Sequence, residues 1–228
     1  MKRKIFITDA EWFDSGSLKN PLSTLDEELE KYFPEFSCLD YDTRILATAP
    51  PTKEEQAFIP EDDYRKKYGR DSLDLSALCF SKGAINILLN GFDQELFEYI
   101  VPAVKDTAEV IYFFKCPGIS DLSMLSDFPN LRCVHVFCNN SLTRLWDMTD
   151  SANLKAISMC RVTGLREIEA LTHSHVRYVH IDSMDNCGTK KPALFSVPSF
   201  EEIPELLHLS LGFSNHDLQL CRRSDKEI

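Results

Sequence analysis

The chain has no apolar run close to the roughly 20 residues that a membrane-spanning helix needs. It also lacks a secretory leader pattern: the basic start MKRKIFITDAEWFD carries Asp9 and Glu11, which interrupt the apolar stretch too early for a signal-peptide core. A cytoplasmic protein is expected. Net positive charge is absent as well. The formal charge is -11, which argues against a general phosphate-binding surface and hence against nucleic acid as the partner. There is no phosphate-binding glycine loop and no CxxC pair, so the 8 cysteines read as reduced thiols rather than as a zinc or disulfide framework. What remains is a chain of 228 residues with 43% apolar content, enough for a sizeable core.

That apolar content is periodic. AEVIYFFKCPGISDL from Ala108, LRCVHVFCNNSLTRL from Leu131, LKAISMCRVTGLREI from Leu154, VRYVHIDSMDNC from Val176 and LLHLSLGF from Leu206 start 23, 23, 22 and 30 residues apart. Each carries apolar residues at offsets 0, 3 and 5 from its start, for example Leu131, Val134 and Val136. In the first three units the phase continues at offset 11 (Ile119, Leu142, Leu165), offset 14 (Leu122, Leu145, Ile168) and offset 17 (Leu125, Met148, Leu171). AINILLNGFDQELFEYIVPAV from Ala84 fits as a degenerate first unit, with an amphipathic helix from Gln94 to Val104. The array spans residues 84–213, followed by a polar tail, 214–228.

At these columns the chain resembles the leucine-rich-repeat superfamily, in part its cysteine-containing subclass, with Cys116 and Asn139 at offset 8. The resemblance implies an α/β solenoid with a parallel β-sheet on the concave face. It also implies that an Asn or Cys at offset 8 is buried and meets backbone groups in the loop after the strand. Each unit is then a short strand plus a helical or irregular return that buries its apolar side only by stacking on its neighbours. The insertion NCGTKKPALFSVPS, with Gly188, Pro192 and Pro198, reads as a surface loop.

Residues 1–83 fall outside the repeat and are expected to form a non-repeat α+β N-terminal cap. KIFIT and TRILATA read as strands, and TLDEELEKYF reads as a helix with a capping box at Thr24 and Glu27. The Pro-punctuated, charged stretch 50–72 reads as a loop. At the other end three arrangements are open. Leu218 and Leu220 fold back over the last strand, a partner covers it, or the chain has been shortened. An uncovered edge near Leu211 and Leu218 would allow an edge-mediated oligomer; otherwise the protein is a monomer.

Strand side chains alternate, so offsets 1, 2, 4 and 6 are left for the concave surface. The expected partner-binding set is Tyr112, Phe114, Arg132, His135, Phe137, Lys155, Arg177, Tyr178 and His180. Aromatics and Arg are the types enriched at binding hot spots, and Arg132, Lys155 and Arg177 would suit an acidic segment of a partner protein. A metal is not expected: Cys133 and His135 lie roughly 6.5 Å apart along one strand, and the neighbouring columns offer only Ala156 and Ser158. No cofactor is implied. Cys133 beside His135 could be drawn as a nucleophile and its base, but an open sheet supplies no oxyanion site. The expected function is therefore non-enzymatic protein binding, as an adaptor or inhibitor. The alternative is an enzyme or effector with its chemistry in residues 1–83, where Asp9, Glu11 and Asp14 cluster, and with the repeats choosing the substrate.

Overall fold

The computed structural model describes residues 6–8, 44–48, 86–183, 193–215 and 217–221. Its strands are β1 (Phe6–Thr8), β2 (Arg44–Thr48), β3 (Asn86–Asn90), β4 (Val110–Phe114), β5 (Cys133–Asn139), β6 (Ala156–Val162), β7 (Tyr178–Asp182), β8 (His208–Gly212) and β9 (Asp217–Cys221). They lie side by side in chain order in one sheet. Strands β2 to β8 are parallel, and β1 and β9 are antiparallel at the two edges. Among the described residues the helical content is small, one α-helix and short 3-10 turns, giving an α/β-like arrangement. None of the described helices is long and apolar enough to cross a membrane.

The sheet register follows the apolar columns. Ile87, Ile111, Val134, Ile157, Val179 and Leu209 form one row across the strands, and Leu89, Phe113, Val136, Met159, Ile181 and Leu211 form another. A slip of one residue would turn both rows to the opposite face, so burial fixes the pairing. Both rows are buried in one apolar core together with Leu131, Leu154, Val176 and Leu206 and with return residues such as Ile119, Leu142 and Leu165.

The helix α1 spans Gln94–Val104 and buries Leu96, Phe97, Ile100, Val101 and Val104 in that core. The ring of Phe97 meets that of Phe113 edge-on, with centroids 5.2 Å apart. Asp93 starts the helix by accepting the Leu96 amide, a cap whose removal costs about 1 kcal/mol. The Gln94 side chain then ties the helix to the next return, accepting from the amides of Ser120 and Asp121. Later returns are tighter, with 3-10 turns at Ser123–Asp127, Glu169–His173 and Phe200–Glu202.

The second face of the sheet differs from expectation. In β4, β5 and β6 the first four residues are all buried, whereas in β7 and β8 buried and half-buried residues alternate. Val110, Tyr112, Cys133, His135, Ala156 and Ser158, which the sequence offsets place on an exposed concave surface, are each 0% exposed. A single chain is present, so this burial is intramolecular. The physical signature is in the strands: VIYFF is continuously apolar, as parallel strands covered on both faces are, while YVHID and HLSLG alternate.

At the N-terminal side β2 continues the parallel sheet, with Ile45 opposite Ile87 and Ala47 opposite Leu89. The helix read at Thr24, the loop 50–72 and the cluster Asp9, Glu11 and Asp14 lie outside the described residues. At the C-terminal side the chain folds back: β9 pairs with β8, and Leu218 packs against the core. The edge near Leu211 is thus taken by the chain's own strand.

Candidate partner-binding surface

The backbone brings Glu109, Arg132, Lys155, Arg177 and Leu207 into a column just before the strands. The amides of Arg132, Lys155, Arg177 and Leu207 each donate to the carbonyl of the preceding member, at 2.7, 2.8, 2.9 and 2.8 Å. The basic ladder therefore exists, but carboxylates accompany it. Arg132 pairs with Glu109 at 3.3 Å, and Lys155 pairs with Glu205 at 3.1 Å. Glu205 also meets His175 at 2.8 Å, and these two partners, His175 first, hold its carboxyl below the ordinary value. The groups are partly exposed, so each pair is worth no more than about 1 kcal/mol, yet together they offset much of the ladder's charge. The Arg177 guanidinium lies 5.8 Å from the Tyr178 ring centre. Glu109 stood in the same sequence column; Glu205, 50 residues from Lys155, had no local signal.

At the opposite ends of the strands, Phe114 and Phe137 stack with centroids 5.4 Å apart and planes 7° apart, and both rings are half-buried. Lys115 Nζ lies 5.2 Å from the Phe114 ring centre and the Arg161 guanidinium 5.1 Å from that of Phe137. Arg161 also donates to Cys138 Sγ at 3.7 Å. Lys115, Cys138 and Arg161 share one place in the repeat and one backbone state, with φ of 50°, 59° and 58°. Gly91, at the same place in the first unit, has φ 70°. The left-handed conformation costs a non-glycine residue roughly 1 kcal/mol, which the repeated turn sustains in three successive rungs. The strand columns stop one residue short of this turn, so they leave out Lys115 and Arg161. Their spacing by two repeat lengths was the available signal.

Between these two ends the face is closed. Tyr112 and His135 are buried edge to face, with ring centroids 4.3 Å apart, and Tyr112 also meets Phe114 at 5.9 Å. Of the expected set, Tyr112 and His135 thus support the surface from beneath. Phe114, Phe137, Lys155, Arg177, Tyr178 and His180 are half-buried at it, and Arg132 is exposed. On the open half, Gly212 makes room for a neighbour, since a Cβ there would come within 2.8 Å of Asp182 Oδ1.

The same burial decides the chemistry of Cys133 and His135. Desolvation pushes the Cys133 thiol up to about 12, and desolvation with a smaller contribution from His180 pushes the His135 imidazole down to about 3. Both are neutral near pH 7, so they do not form a thiolate and imidazolium pair. Among the described residues no group of three or more His, Cys, Asp and Glu is placed to hold a metal ion.

Compared with protein-family models, curated proteins and solved structures, the chain matches none of them.

Proposed function

We propose that the protein is a non-enzymatic protein-binding module, built as a leucine-rich-repeat solenoid of about six units with a capped N-terminal end. Its partner lies against the part of the sheet face that the fold leaves open. The observation that carries this reading is the half-buried Phe114 and Phe137 stack with a cation at each side. Stacked aromatics beside Arg are the composition of binding hot spots. Among the described residues no carboxylate pairs with Lys115 or Arg161. An acidic segment of the partner would therefore meet these two cations, rather than Arg132 and Lys155, which already have acidic neighbours. Tyr178 and His180 on β7 extend the same surface toward the open half.

Affinity capture from the native cell tests this with three forms of the chain, each checked for folding by circular dichroism. These are the wild type, a Phe137→Ser and Arg161→Glu double variant, and an Arg132→Glu and Arg177→Glu double variant. The first double variant is expected to lose its captured partner by about tenfold or more, as loss of a hot spot does. Capture of the same proteins at the same level by all three forms overturns the sheet-face reading.

A further inference from the structure

The returns that follow β4, β5 and β6 enclose a groove of about 760 Å³ that the sheet-face reading does not use. Its floor is apolar, with Leu145 and Trp146 buried and Ala170 half-buried, and its rim carries the exposed carboxylates Asp121, Asp147 and Glu167. Asp121 accepts the Ser123 amide at 2.8 Å, and Asp147 accepts the Thr149 amide at 3.0 Å and its hydroxyl at 2.7 Å. Each uses one oxygen, and among the described residues the other accepts no hydrogen bond. Arg144 and Glu167 are opposite each other in a β-bridge yet form no ion pair. The groove thus holds three carboxylates against one guanidinium and the His173 imidazole, on a chain of net charge -11.

A second observation points to an occupant. Trp146 is 4% exposed and lines the groove, and among the described residues its indole N–H has no hydrogen-bond partner. A buried donor of this kind costs stability until an acceptor reaches it. Beside the groove, Phe195 is 74% exposed, but its backbone is held: its amide donates to the carbonyl of Arg166, the neighbour of Glu167, at 2.9 Å. Leu194 is clamped in both directions by the Asn215 side chain, at 3.0 and 2.8 Å. A large apolar side chain presented on a fixed backbone loses little entropy on binding.

We propose that this groove binds a short basic segment of a partner protein. A Lys or Arg side chain of that segment meets Asp121, Asp147 and Glu167, and an adjacent apolar side chain lies on Leu145, Trp146 and Ala170. A peptide carbonyl is the acceptor suited to the Trp146 indole. The proposal is independent of the sheet-face reading, because the two surfaces share no residue.

The probe is acetyl-leucyl-arginine amide, titrated into the full chain while the indole resonance of Trp146, assigned by its loss in Trp146→Phe, is followed by NMR. The expected result is a saturable shift, with the uncharged citrulline isostere binding about fivefold or more weakly. An Asp147→Asn and Glu167→Gln double variant, at two exposed positions, is expected to weaken binding about tenfold, since two of the three carboxylate charges that meet the basic side chain are removed while the side-chain shapes are kept. Arg144→Gln is expected to tighten it. Absence of a shift up to about 20 mM peptide, equal binding of the citrulline isostere, or an unchanged affinity in the folded double variant overturns the proposal.

Discussion

His135 sits fully buried against Tyr112, with its imidazole held down to about 3 by burial first and by His180 second. In the unfolded chain the same group titrates near its ordinary value of 6.5. The unfolded state therefore binds more protons below that value. The stability this site contributes is complete above pH 6.5 and is lost as pH falls toward about 3. By pH 4 the loss is on the order of 3 kcal/mol, from the free-energy equivalent of a pKa shift. Urea unfolding at pH 7 and pH 4 should show this loss in the wild type and a smaller one in His135→Gln. Equal losses in the two would place the acid sensitivity elsewhere. The histidine was legible in the sequence as a column residue, but its burial was not, because a single residue does not reveal what lies over it.

At the scale of the element, the turn after β5 depends on Asn139. Its amide nitrogen donates to the carbonyls of Cys116 and Ile119, both at 2.8 Å, and its oxygen accepts the amides of Ser141 at 2.9 Å and Leu142 at 2.8 Å. One side chain thus satisfies four backbone groups and joins two rungs. Cys116 holds the same place one rung earlier and donates to the Leu89 carbonyl at 3.3 Å. Replacing Asn139 by Ala removes this partner from the Ile119 carbonyl and the Ser141 and Leu142 amides, while the Cys116 carbonyl keeps only the Ile119 amide. It should cost about 2 to 4 kcal/mol, read as a fall in the midpoint of thermal or urea unfolding. Asn139→Asp keeps the acceptors and loses the donors, so its midpoint should fall between the two. Asn139 stood out in the sequence at offset 8. Lys115 and Arg161, one position earlier in their own units, did not. They are themselves the left-handed residues of their units, so the alternation that assigns faces along a strand no longer applies to their side chains.

On the scale of the whole molecule, the sheet has two regimes. Strands β4 to β6 are buried on both faces, and β7 and β8 on one. Amides in the doubly covered strands open to solvent only with larger, costlier fluctuations. Native-state hydrogen exchange should therefore be slowest in 110–114, 133–139 and 156–162 and faster in 178–182 and 208–212. Uniform exchange across the sheet would contradict this division. The two regimes also set where a partner can bind, since the sealed half offers only its rim.

The sequence by itself determined the strand register, the helix from Gln94 to Val104 and the apolar core, because each rests on a period short enough to be read along the chain. Only the tertiary structure decided which half of the second face is covered and that Glu205 reaches Lys155. It also decided that the returns around Trp146 leave an acidic groove. Periodicity says which side of a strand an atom is on. What packs over that side, and which charges meet there, depends on segments tens of residues away whose approach no local pattern encodes.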